Sequence, residues 1–361
     1  MPELLLIGAG HAHLYIVKHA ATLTAAGYQV RLLAPRFFDY SGVASATAAG
    51  VLSSADGRID VRALAGACGV TFHEGRLESL DPQARTATAD DGIELTYDVL
   101  SVNIGSEVDP VGMRIHPTVL RVKPLSGLAD LHDRLRAAAS GATVTVVGGG
   151  SSGVELASHL AMRTDVRRVQ LVESTSEVGS DLPRGARTTM ARLLRRRGVD
   201  VRTGCEVREL GEHDAVCADG SSLSHDLALL ATGLTAPSLV STIGLGDRRG
   251  ITVRATLQHV ERDEIYAVGD CAFFTSRPLP RIGVHGVRQG PILHASLLAR
   301  LGDGPLPEYR PQRRALSILD LGGGVGLATR GRLWWCGTSA LRLKRSIDRR
   351  WLKVYRVRAP A

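Results

Sequence analysis

The chain has 361 residues, 44% of them hydrophobic, and a formal charge of +8. That length and apolar content exclude a disordered chain and suffice for two packed domains. The charge is arginine-borne, with lysine only at Lys18, Lys123, Lys344 and Lys353; it reflects either genome composition or attraction to anionic nucleotides or a membrane surface.

The chain opens on an apolar strand, Leu4 to Ile7. It does not read as a signal sequence, because no basic region precedes it and glycines interrupt it. The turn Gly8-Ala9-Gly10-His11-Ala12-His13 follows, then a helix to about Ala26 and a strand from Val30 to Leu33. This is a Rossmann-like opening with two departures. His13 takes the third glycine position, and Ala34 stands where a ribose-binding acid belongs. His11 and His13 are read either as a helix start and a helix–sheet contact, or as neighbours of cofactor phosphates. Thr86 to Thr96 reads as a hairpin. The strand from Tyr97 then ends at Asn103-Ile104-Gly105. Lys123-Pro124 marks a crossover between domains. Lys123 itself is read as a solvated linker lysine, with pairing to a phosphate or carboxylate as the alternative.

From Ala142 to Ser174 the sequence holds a complete strand–turn–helix–strand unit. Gly148, Gly150 and Gly153 have G-x-G-x-x-G spacing, the helix starts near Ser152, and the second strand ends on Glu173. The first glycine makes the tight turn, the second lets a pyrophosphate approach the backbone, and the third lets helix and strand close up. Free N–H groups at the helix start bind the anion. Glu173 is placed to accept ribose hydroxyls of NADH and to repel the 2′-phosphate of NADPH. A helix from Ala186 to Gly198 and a strand from Val199 follow. The strand from Asp226 to Gly233 echoes the one ending at Gly105, an internal repeat of domain type. A buried strand then delivers Gly269-Asp270 at its carboxyl end, where ligands bind in open α/β sheets.

The cysteines, Cys68, Cys205, Cys217, Cys271 and Cys336, form no C-x-x-C pair. Neither a metal site nor a disulfide framework is expected, and a cytoplasmic, reducing location fits. From Thr338 the tail carries Leu343, Ile347, Trp351 and Val354/Tyr355 at helical spacing, surrounded by arginine and lysine, with Trp334-Trp335 just before. It reads as a helix docked on its own domain or on a second subunit of a homodimer. The alternative is a helix lying peripherally on the inner face of a membrane. Asp348 weighs against lipid. No aromatic-interleaved basic patch supports nucleic-acid binding.

In this order, the motifs resemble the two-dinucleotide-binding-domain flavoproteins of the pyridine nucleotide–disulfide oxidoreductase superfamily. Within it, the chain looks most like type II NADH dehydrogenases and the flavoprotein module sometimes fused ahead of selenide, water dikinase. The closer likeness rests on Gly8 to His13, Tyr40-Ser41-Gly42, Val122-Lys123-Pro124, Val287 to Pro291 and Tyr309 to Leu316. It implies an α/β fold of two Rossmann-like domains, an FAD domain with an inserted NAD domain, plus a C-terminal segment. The boundaries are 1–120 and 249–304 for FAD, 121–248 for NAD(H), and 305–361 for the tail.

The resemblance further implies a cofactor-binding set: Gly8, Gly10, His11, Ala12, Arg36, Ser41, Leu77, Asn103, Ile104, Gly105, Gly148, Gly150, Ser151, Ser152, Gly153, Glu173, Gly233, Gly269, Asp270, Arg288 and Gly290. Arg36, Asp39 or backbone groups replace the carboxylate missing at Ala34. Val287 to Pro291 starts a helix aimed at the flavin pyrimidine. Glu155 orients the nicotinamide or relays a proton, or else stabilises its helix start. Gln289 donates near the flavin, or is a buried helix-start amide. Hydride passes from NADH to FAD, and electrons go on to a quinone or other small acceptor. The resident dithiol of the disulfide reductases is missing, since Tyr40 to Gly50 contains no cysteine. Cys271 raises a sulfide- or selenium-species oxidoreductase as the rival. A flavin-holding sensor is the reading outside enzymes.

Overall fold

Two five-stranded parallel sheets carry the chain, and they are wound the same way. The computed structural model describes residues 1–128, 130–138, 141–302 and 304–357. In the first sheet the spatial order is Ile265–Ala267, Val99–Val102, Glu3–Ile7, Gln29–Ala34 and Thr71–Glu74. In the second it is Leu120–Arg121, Leu227–Leu230, Ala142–Val147, Val166–Glu173 and Asp200–Thr203. Every neighbouring pair in both sheets is parallel. Strands covered on both faces must be apolar throughout, and this is why Leu4 to Ile7 and Val144 to Val147 are continuous hydrophobic runs rather than alternating ones.

Each sheet nucleates its own core. Leu4, Leu6, Leu32 and Tyr266 belong to the first, with Leu293 and Leu297 of the long helix Gly283–Leu301. Val144, Val146, Leu171, Met190 and Leu229 belong to the second. The C-terminal segment divides itself between them. Leu319 and Leu327 of its antiparallel sheet and Leu321 of the turn between those strands join the second core, while Leu352 and Tyr355 of the helix Thr338–Tyr355 join the first.

Several local readings change. The first helix stops at Lys18, and a separate turn of helix, Ala20–Ala25, follows His19. The helix read as starting at Val287 begins one turn earlier, at Gly283, and Pro291 sits inside it. The missing N–H of Pro291 costs one helical hydrogen bond. Burial of Gly286, Gln289, Gly290 and Leu293 on one face keeps the helix docked. The cysteines are not all unpaired: Cys205 and Cys217 form a disulfide, and Cys68, Cys271 and Cys336 are free thiols. The two partners flank the hairpin Val207–Leu210/Asp214–Cys217, whose antiparallel pairing brings residues distant in sequence side by side.

Candidate functional site

The two glycine turns occupy equivalent places at the switch points of the two sheets. Gly8 has a φ of +83° and Gly148 of +113°, a region that only glycine enters freely. A Cβ on Gly8 would lie 2.5 Å from the Asn103 carbonyl oxygen, and one on Gly148 2.4 Å from that of Ala231. In both halves, the turn therefore leans on the end of the neighbouring repeat strand. Gly10 and Gly150 then serve as extended N-cap residues of the helices His11–Lys18 and Ser151–Leu160. Neither helix start is capped by a side chain. Their first N–H groups lack intrahelical acceptors and suit an anion. A Cβ on Gly150 would meet nothing within 4 Å, so this is the open side of the turn.

The third position separates the halves. A Cβ on Gly153 would lie 1.9 Å from the Gly148 carbonyl oxygen, so the second helix packs as the glycine fingerprint requires. His13 solves the same problem differently. Its Nδ1 lies 2.6 Å from the Gly8 carbonyl oxygen and its Nε2 2.8 Å from Ser101 Oγ. It is fully buried, and burial lowers its pKa to about 4. His13 is thus the helix–sheet contact. His11, at the helix start, instead faces the rings of Phe38, Tyr40 and Trp351. Its pKa is also lowered to about 4, by burial and then by the Lys123 charge.

Around the first turn the structure gathers Asn103, Gly269, Asp270 and Gln289. Asn103 Oδ1 lies 3.4 Å from the His13 amide nitrogen, and Asn103 Nδ2 donates to the Val268 carbonyl. Asp270 accepts from Ser106 Oγ and lies 3.7 Å from Lys123 Nζ. Lys123 is therefore an ion-pair partner and not a solvated linker lysine. Gln289 is fully buried; its Oε1 accepts from the Gly269 N–H at 2.6 Å, and its Nε2 has no partner. An unpartnered buried amide beside an uncapped helix start and a carboxylate fits a polar, anionic cofactor such as FAD. Ile104 and Gly105 continue this edge, and nothing lies within 4 Å of a Cβ built on Gly105. Ser41 opens a short turn whose hydroxyl reaches toward Gly283.

Five further residues, Arg36, Asp39, Leu77, Arg288 and Gly290, have these surroundings in the fold. Arg36 pairs with Asp60 at 3.1 Å, and Asp39 pairs with Arg58 at 2.8 Å, so both substitutes for the Ala34 carboxylate are already engaged. Leu77 is buried at the start of an antiparallel strand, opposite Ala89. Arg288 is exposed on its helix. Gly290 faces the first helix, where a Cβ would lie 2.7 Å from Tyr15 Cβ. The helix register set by the start at Gly283 turns Gly290 into a packing position.

At the second turn Glu173 is held firmly. Its Oε2 accepts from the Gly149 N–H at 2.7 Å, and its Oε1 from the N–H and hydroxyl of Thr175 at 2.8 and 2.9 Å. These donors outweigh partial burial and keep its pKa below the ordinary glutamate value. Ser151 and Ser152 form the first helical turn, and Gly233 follows the repeat strand with open space on its Cβ side.

Glu155 lies one turn into the second helix, where three segments meet. Its Oε2 accepts from Ser45 Oγ at 3.3 Å, and its Oε1 from the Asp320 N–H at 2.6 Å. Burial pushes its pKa up, against the opposing charge of Lys344. Lys344 and Asp348 are themselves buried, 2.9 Å apart on the C-terminal helix; Lys344 also donates to the Gly42 carbonyl, and Tyr40 donates to Asp348 at 2.9 Å. Sequence reasoning missed Ser45, Asp320 and this pair. The i,i+4 spacing of Lys344 and Asp348 was the visible signal. Beside Tyr40 opens a cavity of about 690 Å³, lined among others by Val43, Thr47, Leu52, Leu128 and His132.

Cys271 is buried, its Sγ directed at the Val102 and Val268 carbonyls, and burial raises its pKa to about 11. A thiol held protonated in this way is a poor nucleophile. Among the described residues no group of metal-ligating side chains occurs and no helix is long and apolar enough to cross a membrane.

Comparison with known proteins gives the family and the fold. The family model of the pyridine nucleotide-disulphide oxidoreductases matches residues 2–290. An NADH dehydrogenase-like protein of Mycobacterium tuberculosis is 27% identical over 317 residues, 81% of this chain and 79% of its own. The ferroptosis suppressor protein 1 of Taeniopygia guttata is 24% identical, over 67% of each chain. Among solved structures, the sulfide:quinone oxidoreductase of Aquifex aeolicus superposes with a TM-score of 0.81 at 16% identity, covering 98% of this chain and 92% of that one. NDH2 from Plasmodium falciparum does so at 0.80 and 12%, covering 98% and 97%. At these identities the superpositions speak for the fold. With the family model spanning both nucleotide turns and the strand ending at Gly269, this chain belongs to the pyridine nucleotide-disulphide oxidoreductase family, whose enzymes work with FAD and a pyridine nucleotide.

Proposed function

We propose that this chain oxidises NADH through bound FAD and passes the electrons to a quinone or another small acceptor. The observation that carries this reading is the doubled switch point: two uncapped helix starts, each over a glycine turn, of which only the second ends its neighbouring strand on a carboxylate, Glu173. A protein that merely held a flavin would need one such turn. FAD, when bound, takes two electrons from the nicotinamide and gives them up to the acceptor.

The residues of this chain supply the rest. Residues 1–120 and 249–304 are assigned to FAD and 121–248 to the pyridine nucleotide, with 305–361 as a C-terminal segment whose Leu319, Leu327, Leu352 and Tyr355 reach both cores. Gly8 to Ala12, Asn103 to Gly105, Gly269-Asp270 and Gln289 bind the flavin nucleotide. Gly148 to Gly153, Glu173 and Gly233 bind NADH, and Glu173 disfavours a 2′-phosphate by charge. Glu155 keeps its proton to a higher pH than a free glutamate, the property a proton donor to an acceptor needs. With no dithiol in Tyr40 to Gly50 and Cys271 held as a thiol, the acceptor is external. Among the relatives' printed names, one is an external NAD(P)H-ubiquinone oxidoreductase of Arabidopsis thaliana, 26% identical over 37% of this chain and 27% of its own, while others are reductases of protein partners such as putidaredoxin.

A peripheral membrane contact is part of the proposal. On the C-terminal helix, Leu343, Ile347 and Val354 are exposed, as are Leu333, Trp334 and Trp335 of the strand that precedes it. Asp348 faces inward to Lys344, so the negative charge that weighed against lipid is absent from that face.

Anaerobic titration of the purified flavoprotein with NADH, followed by a soluble quinone, tests the core of this reading. Bleaching of the flavin absorbance by one equivalent of NADH, recovery on quinone addition, and a much weaker response to NADPH are expected. A flavin that NADH leaves oxidised contradicts it.

A further inference from the structure

One half of the Cys205–Cys217 disulfide is hydrogen-bonded, through its backbone, to the residue whose carboxylate is assigned to the NADH ribose. Cys205 follows Asp200–Thr203, the outer strand of the second sheet. Its N–H donates to the Glu173 carbonyl at 3.1 Å, and the Gly204 N–H donates to the Thr175 carbonyl at 2.8 Å. Thr175 in turn donates twice to the Glu173 carboxylate. Residues 204 and 205 are thus one of the two walls that hold the ribose-binding loop; the other is Gly149.

Cys217 belongs to a different unit. It ends a strand of the four-stranded sheet built from Arg114–Ile115, Val207–Leu210, Asp214–Cys217 and Ser222–Ser224. Cys205 leads directly into Val207–Leu210 of that same sheet, where Val207 pairs with Cys217, so the disulfide cross-links the segment behind Glu173 to the far strand of the hairpin it enters. Without it, backbone bonds such as Ala218 N–H to the Glu206 carbonyl hold that junction. A bond placed only to hold a core would join two buried residues. Here Cys217 is buried and Cys205 is partly exposed at the edge of the second core, so Cys205 is the more accessible partner for an external thiolate.

We propose that Cys205–Cys217 is a reversible thiol-oxidation site that tunes nucleotide affinity at Glu173, an inference that rests on reading Gly148 to Glu173 as the NADH site. An external dithiol reduces it in two exchanges. Its thiolate attacks Cys205 Sγ and displaces the Cys217 thiolate, which takes up a proton. Its second thiolate then attacks the mixed disulfide, leaving as the cyclic or protein disulfide and releasing Cys205. Two electrons and two protons pass from the dithiol to the pair. Once reduced, segment 204–205 loses its side-chain cross-link to Cys217, is held only by the chain and the backbone bonds of the hairpin, and supports the Glu173–Thr175 loop less firmly. The oxidised enzyme binds the adenosine half of NADH more tightly than the reduced one.

The test uses ADP-ribose, which reads the adenosine half without reducing the flavin. Its Kd is measured by calorimetry on the oxidised flavoprotein, on the same protein after phosphine reduction, and after reoxidation by a small-molecule disulfide, which takes up the two electrons and two protons and leaves as two thiols. Thiol alkylation with mass spectrometry reports the state of the pair, which should add two labels on reduction to those of the free cysteines. Reduction should weaken ADP-ribose about fivefold, the scale of one lost hydrogen bond, and reoxidation should restore it. The Cys205→Ser/Cys217→Ser double variant should match the reduced protein. In Glu173→Ala the difference between the two states should vanish, an outcome that general loosening of the domain would not give. Equal affinity in the two states, or a difference that survives in Glu173→Ala, overturns the inference while leaving the NADH site in place. Absence of ADP-ribose binding in every state overturns the site assignment and this inference together.

Discussion

His13 shows how one side chain replaces a fingerprint glycine. Where Gly153 closes on the Gly148 carbonyl by having no side chain, His13 meets the Gly8 carbonyl with a ring nitrogen and spends its other nitrogen on Ser101. The exchange has a cost in acid. Its pKa falls from 6.5 to about 4 in the fold, so the unfolded chain binds the extra proton between those values. Stability is then complete above pH 6.5 and is lost as the pH falls toward 4, by roughly 3 kcal/mol for a shift of this size. Urea unfolding at pH 7 and pH 5, with the His13 ring followed by NMR, measures this; a ring that titrates near its ordinary value would remove the effect. From sequence, the missing glycine was visible, but not what filled its place. Ser101 is distant in the chain and offers no motif. The same holds for Glu155, whose helix position was legible while its partners Ser45 and Asp320 come from segments that only folding brings together.

At the scale of the element, the second glycine turn separates two jobs that its sequence merges. Gly150 faces open space and keeps an ordinary φ of −73°, whereas a Cβ at Gly153 would collide with the Gly148 carbonyl. Gly150→Ala should fold with unchanged thermal stability and bind NADH more weakly, because the added methyl occupies the anion's approach. Gly153→Ala should destabilise the protein by about 1–3 kcal/mol, the range for overpacking. Calorimetric unfolding and nucleotide titration of both variants separate the roles, and equal behaviour of the two would contradict them. Strands and helices of the two sheets were readable because buried parallel strands leave unbroken apolar runs. The start of the helix Gly283–Leu301 was not. Its first turn, Gly-Val-His-Gly, carries no capping residue, and Pro291 looks like a helix start when it is an interior residue held by packing.

Over the whole molecule, the C-terminal helix has two working faces. Tyr355, Leu352, Asp348, Lys344 and Leu341 face the protein, while Leu343, Ile347 and Val354 face outward among exposed arginines. The sequence stripe mixed the two, because Trp351 and Tyr355 fall near its line yet pack on the aromatic cluster around His11. The protein should cosediment with vesicles containing phosphatidylglycerol and not with pure phosphatidylcholine, and salt should release it. Ile347→Ser should weaken this by about tenfold, on the scale of one buried aliphatic side chain. Binding that ignores both lipid charge and Ile347 would exclude this face. The inward face has a consequence for biosynthesis. Tyr40 is made early, yet its hydroxyl partner Asp348 and stacking partner Trp351 lie near the other end of the chain. At ribosomal speeds of about 5–20 residues per second, roughly 15 to 60 seconds separate them. For most of that interval the first sheet also lacks its edge strand Ile265–Ala267 and the Gly269–Gln289 pair, and a flavin captured once these are made would still wait for the wall that begins at Thr338.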